Sequence, residues 1–185
     1  QNEVILVIQP NRGTEGRGAR AYIGPPNWAM FFQKHPEIID HVRDVARSDD
    51  VLIRQGIGNV RLNDPHSGRD VFFDIRANVA CGRMESGFFM AAAPGSVIAS
   101  PGRGGHILEW TLDREWQLQL PDRAGGISWD ENLWREIQQT AEAAASAFRL
   151  CKIAGVDIRL HWDEGKIVPL VLDVNPRPAG LAHSR

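Results

Sequence analysis

Val156-Asp-Ile-Arg-Leu-His-Trp-Asp-Glu-Gly-Lys-Ile-Val-Pro-Leu-Val-Leu-Asp-Val-Asn175 reads as two strands around a polar tip. From Val156 to Trp162 apolar and polar residues alternate. Val156, Ile158, Leu160 and Trp162 therefore share one face, and Asp157, Arg159 and the solvent-facing His161 share the other. The tip Asp163-Glu-Gly165 turns the chain, and Ile167 to Val174 returns as the partner strand. A three-residue tip sets Trp162 opposite Lys166 and Asp157 opposite Val171, with Asp173 as the next neighbour of Asp157 on its face. Asn175 lies two residues beyond Asp173 and shares that face. Three oxygen donors thus converge on one patch of sheet. Carboxylate and amide oxygens suit Mg²⁺, which keeps several waters and completes its shell from substrate phosphates. A carboxylate between Leu172 and Val174 is costly unless partnered, so the face reads as a metal site before it reads as a solvated polar surface. A register slip of one residue would disperse it.

Upstream of the hairpin, Ser128 and Glu131 form a capping box. From Glu131 to Leu150 the positions Leu133, Trp134, Ile137, Ala141, Ala144, Ala145 and Phe148 repeat as one helical face. At the other end of the chain, Glu3 to Gln9 is an apolar strand stopped by Pro10, and Asn11 to Gly18 is rich in glycine. Pro36 suits a first helical turn, and Ile38, Ile39, Val42, Val45 and Ala46 carry a helix to about Arg47. Val51 to Ile53 reads as a short strand, Arg61 to Arg69 as a polar turn and Val71 to Ala80 as a second strand, together an antiparallel pair. Gly82 to Gly105 reads as loops with one strand at Gly87 to Ala92. The chain divides at about residue 70 into a glycine-loop half and a polar-hairpin half.

The 185 residues fit one domain or one two-lobed unit, and 43% hydrophobic residues allow a sizeable core. With 21 basic and 23 acidic side chains the net charge is −2, which is not the positive field of a non-specific nucleic-acid binder. The apolar runs, Val4 to Ile8 among them, are strand-sized, so no membrane-spanning helix is expected. Cys81 and Cys151 have neither zinc-ligand nor disulfide-framework spacing, and a reducing cytoplasm is the default location. The six tryptophans fall mostly on apolar faces and suit core packing better than base stacking. The chain opens at Gln1, enters a strand at once and reads as part of a longer protein.

Two further features point to anion chemistry. Gly13, Thr14, Gly16 and Gly18 follow a strand, where glycine lets backbone N–H groups approach a phosphate, and Arg12 and Arg17 add charge. A glycine-rich hairpin turn would look the same, and the stretch matches neither common phosphate-loop pattern. Arg76 and Arg103 offer guanidinium forks suited to phosphate or carboxylate, although an isolated strand arginine is more often simply solvated.

Taken in order, the motifs Val-Ile-Gln-Pro10, Gly13-Thr-Glu-Gly-Arg-Gly18, Val51-Leu-Ile-Arg-Gln55, Asp74-Ile-Arg76, Gly104-Gly105, Gly155-Val-Asp157 and Leu172-Asp-Val-Asn-Pro-Arg177 resemble the ATP-grasp superfamily over nearly the whole chain. The resemblance implies an α+β fold, with a small lobe at 1–58, a larger antiparallel lobe at 59–185 and nucleotide in the cleft between them. It implies ATP and Mg²⁺ as cofactors, with Asp157, Asp173 and Asn175 as metal ligands. The glycine loop and Gln9 would meet phosphates, Arg54, Gln55 and Ile57 would pass the adenine, and Arg76 and Arg177 would meet phosphates or the acyl substrate. The implied activity is ligation of a small-molecule carboxylate to an amine or other nucleophile, without nucleic acid or membrane. A kinase of the same fold and a silent nucleotide-binding module are the alternatives. Gln9 stands where the family usually has a phosphate-contacting lysine, Asp173 where it usually has glutamate, and the family's amino-terminal domain is missing, so an upstream domain is expected.

Overall fold

The structure, a computed structural model, describes residues 3–11, 18–110, 116–121, 126–148 and 152–176. It is mixed α+β with antiparallel sheets, and the chain divides into two compact units, Gln1–Ile57 and Gly58–Arg185. No helix among the described residues is long and apolar enough to cross a membrane.

The first unit runs β1 (Val4–Pro10), β2 (Arg20–Gly24), α1 (Trp28–Lys34), α2 (Ile38–Ala46) and β3 (Val51–Gly56). Its sheet has the order β2-β1-β3. Alternation along β1 sends Leu6 and Ile8 into a core with Tyr22, Phe31 and Ile38. His41 ties α2 to this sheet: its Nδ1 meets the Tyr22 hydroxyl at 2.9 Å and its Nε2 the Gly18 carbonyl at 3.1 Å. Helix α1 has no periodic sequence signal, because Phe31 is its only buried residue and Trp28, Met30 and Phe32 are exposed. Its start is fixed by Asn27, whose side chain accepts from the Met30 N–H at 3.1 Å.

The second unit adds β4 (Arg61–Asp64), β5 (Arg69–Val71), β6 (Phe73–Ala80), β7 (Arg83–Ala91), β8 (His106–Glu109), β9 (Gln117–Gln119), β10 (Ile127–Ser128), α3 (Glu131–Ser146), β11 (Ile153–Asp163) and β12 (Lys166–Asn175). A four-stranded sheet has the order β10-β9-β4-β5, and a five-stranded sheet the order β12-β11-β6-β7-β8. The expected pairing of Val51–Ile53 with Val71–Ala80 is overturned. Strand β3 pairs with β1, whereas β6 lies between β7 and β11. Half of the expected polar turn is strand β4, and the expected glycine-rich loop segment holds the nine-residue β7. Strands β6 and β7 are joined through Cys81 and Gly82, both at positive φ (50° and 82°), the backbone of a two-residue hairpin turn.

Asp130 starts α3, accepting from the Leu133 N–H at 2.8 Å, so the cap sits two residues beyond the Ser128 expected for it. Leu133, Ile137, Ala141 and Ala145 join Phe73, Ile75, Ala77 and Val79 of β6 and Val156, Ile158 and Leu160 of β11 in one core. Each large side chain removed from water there contributes about 1.5–3 kcal/mol. Trp110 stacks on Trp134 with centroids 4.4 Å apart, and Phe89 meets Trp110, Trp116 and Trp129, so these tryptophans pack the core. Phe148 remains exposed.

Past Ile158, β11 is held by Gly58-Asn59-Val60 instead of β6. The Asn59 side chain donates to the Trp162 carbonyl at 3.2 Å and accepts from its N–H at 2.6 Å, and the Val60 N–H reaches the Leu160 carbonyl. Gly58 has φ +86°, and a Cβ there would lie 2.2 Å from Arg159 Cγ and 2.9 Å from the Leu160 carbonyl oxygen. Gly58→Ala is therefore expected to lower the urea midpoint, with roughly 1–2 kcal/mol from the left-handed backbone alone and more from displacing Arg159. An unchanged midpoint would contradict this.

Candidate functional site

Strands β6 and β11 carry the same tripeptide, Asp74-Ile-Arg76 and Asp157-Ile-Arg159. Their antiparallel register sets Ile75 opposite Ile158 and Arg76 opposite Asp157. With both isoleucines in the core, all four charges fall on the other face of the sheet. Arg76 donates from Nε to Asp157 Oδ1 and from Nη2 to Oδ2, the latter at 3.0 Å. Arg159 donates from Nε to Asp74 Oδ1 at 2.6 Å and from Nη2 to the Val97 carbonyl at 3.0 Å. Opposite charges thus meet both across the strands and along them. Arg159, on the polar face of its strand, is only 6% exposed.

Strand β12 extends this face, in a register that differs from expectation twice. Glu164 and Gly165 have φ +43° and +93°, so the tip is a two-residue turn that pairs Asp163 with Lys166 and Trp162 with Ile167. That register alone would put Leu172 opposite Asp157 and turn Asp173 toward the core. A bulge between Asp157 and Ile158 restores the carboxylate: Ile158 faces Val171, Asp157 faces Asp173, and Leu172 is the additional residue. The two one-residue shifts bring Asp173 directly across from Asp157, closer than the diagonal placement expected.

Burial raises the Asp157 carboxyl above its ordinary value, the Arg76 hydrogen bond and charge pull it down, and the opposing Asp173 adds to the rise. Asp173 is exposed, its Oδ1 accepts from the Val174 N–H at 2.9 Å, and among the described residues no cation is paired with it. Asn175 lies opposite Gly155 on the same face, in line with Asn78, whose Nδ2 donates to Ser86 Oγ at 3.2 Å. Arg76, Asp157 and Asp173 therefore form one row across three strands, with Asn175 one step along. The oxygen donors fit a hard divalent cation, and two directly opposed carboxylates, of which only Asp157 is paired with a guanidinium, favour a further positive charge. Among the described residues no group of three His, Cys, Asp or Glu side chains is arranged for a metal, so this set stands on two carboxylates and one amide.

Of the other expected residues, most lie in the first unit. Gln9 is half-buried near the end of β1 opposite Leu52, while Arg54 and Gln55 are exposed on β3 opposite Val7 and Leu6. Ile57 closes that unit, and Gly18, at φ +72°, sits against Pro10. Gly13, Thr14, Gly16, Arg17 and Arg177 lie outside the described residues, as do Arg12 and Cys151. His161 is half-buried instead of solvent-facing, with Nδ1 buried and unpartnered among the described residues. Arg103 ends the short 3₁₀ turn Pro101–Arg103. His106 reaches Asp64 Oδ1 with its Nε2 at 3.1 Å, and the same carboxylate accepts from the Ser67 hydroxyl at 2.6 Å, so Asp64 organises the β4–β5 turn. The Asp74–Arg159 pair was not read from the sequence. The repeated Asp-Ile-Arg is the signal that marks it. No protein-family model matches the chain, and no curated protein matches it in sequence.

Burial pushes the Asp74 carboxyl up to about 6 from 3.8, although the Arg159 charge and hydrogen bond oppose it. Between those values the folded protein binds a proton at Asp74 that the unfolded chain does not. This group's stability contribution is therefore full below the lower value and lost as pH rises through about 6. The stability difference between wild type and Asp74→Asn, from urea unfolding across this range, is expected to move in that sense and to level off above it. A difference independent of pH would contradict the assignment. Asp173→Asn removes the charge facing Asp157 and is expected to raise stability in chelator by about 0.2–1 kcal/mol. Lower stability would mean that the two carboxylates do not repel.

Proposed function

We propose that this chain is an ATP-dependent ligase of the ATP-grasp kind, which activates a small carboxylate as an acylphosphate for attack by an amine or other nucleophile. The single observation that carries this reading is the row of Arg76, Asp157 and Asp173 with Asn175 beside it, on adjacent antiparallel strands. It combines oxygen donors for Mg²⁺ with a guanidinium for an anion in one patch, and its residues follow the order acidic, then acidic-x-Asn.

Bound Mg²⁺ would neutralise phosphate charge as the terminal phosphoryl group moves. Asp157, Asp173 and Asn175 would hold that ion, at the spacing that their strands fix. Arg76 meets an anionic oxygen of the phosphoryl or acyl group by its fork. The substrate carboxylate oxygen bonds to the terminal phosphorus and ADP leaves. The nucleophile then bonds to the acyl carbon, loses its proton, and inorganic phosphate leaves. The protein contributes position and charge neutralisation throughout.

A second reading, a nucleotide-binding module without turnover, is favoured by Gln9, an uncharged residue where a lysine would contact phosphates.

Calorimetric titration with ATP, with and without Mg²⁺, tests the site. Asp173→Ala and Asp157→Asn are expected to abolish Mg²⁺-dependent binding in protein that remains folded by circular dichroism. Unchanged affinity in both removes the assignment. An assay for ADP and phosphate with candidate carboxylates and amines separates ligase from module. Binding with persistent zero turnover favours the module.

A further inference from the structure

Arg76 and a divalent cation compete for the same atoms. Both oxygens of Asp157 are taken by one guanidinium, Nε on Oδ1 and Nη2 on Oδ2. This fork engages both oxygens, and its positive charge stands against a cation on the same carboxylate. The pair is largely withdrawn from water, with side chains 13% and 17% exposed, so the guanidinium is not a loosely held surface partner. Directly opposite, Asp173 brings a second carboxylate with no cation of its own among the described residues. The three side chains of the row together carry one negative charge. A divalent ion at the carboxylates would reverse that sign and leave the guanidinium without its carboxylate. A row that attracts cations when empty becomes one that attracts anions when loaded.

We propose that Arg76 holds the place of the divalent cation at Asp157 and is released when the cation arrives, which frees its fork for an anionic oxygen of the substrate. The inference rests on the metal reading of Asp157 and Asp173 given above, and it adds an order of events. The cation must precede productive anion binding, because Arg76 is engaged until then. Arg159 cannot substitute for it, since its fork is committed to Asp74 and to the Val97 carbonyl.

The test uses the full chain without nucleotide. In protein labelled with ¹⁵N at arginine, the Arg76 Nε–H resonance, identified by its loss in Arg76→Lys, is followed during titration with Mg²⁺. Its shift is expected to move, and its exchange with solvent to accelerate by at least about tenfold, as the charge-assisted bond is lost. In parallel, Mn²⁺ binding is measured by electron paramagnetic resonance. Arg76→Gln is expected to bind at least about tenfold more tightly than wild type, Arg76→Lys to fall between, and Asp173→Asn to lose binding. The resonance measurement on wild type stands even where Arg76→Gln does not fold. Binding that requires Asp173 while the Arg76 resonance stays unchanged overturns the proposal and leaves the metal reading intact. Absent binding, or binding indifferent to Asp173→Asn, overturns both.

Discussion

The antiparallel pairing of two Asp-Ile-Arg tripeptides is the constraint on which the second unit depends. Burying Ile75 and Ile158 against the α3 side of the sheet leaves the four flanking charges no choice of face. Antiparallel order then places each aspartate opposite an arginine. Either pair alone would be a doubtful source of stability, because withdrawing ions from water offsets most of their attraction. Together they fix register. A shift of one residue would drive charges into the core, and a shift of two would strip each aspartate of its partner and leave buried charge uncompensated.

Charge compensation changes along this face. At the Asp74–Arg159 end the pair is capped by the Val97 carbonyl and lies close to Phe72, with the Arg159 guanidinium 6.0 Å from its ring centroid. At the β12 end, Asp173 adds a carboxylate with no matching cation among the described residues. The bulge at Leu172 creates this imbalance by returning Asp173 to the polar face, which a regular ladder would have denied it. A carboxylate paired with arginine and one without such a partner among the described residues thus stand one strand spacing apart, Asp157 facing Asp173.

Much of this was legible in the residues. Alternation in Val156 to Trp162 marked the strand, the polar face and the candidate oxygen donors, because side-chain direction in a strand follows sequence parity. Register was not legible, for two reasons. The tip uses positive φ at Glu164, a residue with no special tendency to adopt it, so the turn looks one residue longer than it is. The bulge residue Leu172 is neither glycine nor proline, and nothing local distinguishes it from a regular strand leucine. Two errors of one residue then moved Asp173 by a full same-face step, which preserved the convergence while misplacing its geometry. The partnership of Arg76 with Asp157 was hidden too, since it spans 81 positions and depends on β6 and β11 being neighbours. Helix α1 escaped because it is short and buries a single residue.

A tripeptide that matches its own reversed copy encodes alignment without encoding identity. Asp-Ile-Arg in β6 is as complementary to another β6 as it is to β11, since Asp74 and Arg76 of two chains would meet crosswise in the same pattern. The choice of partner must come from outside the code. The tight Cys81-Gly82 connection fills one side of β6 with β7, and the other side stays open until β11, some 80 residues later in the chain, has been made. During synthesis or refolding that interval offers two copies a mutual fit over these residues equal to the intramolecular one. Crowding of incomplete chains, more than loss of the finished fold, is where this sheet is vulnerable to misassembly.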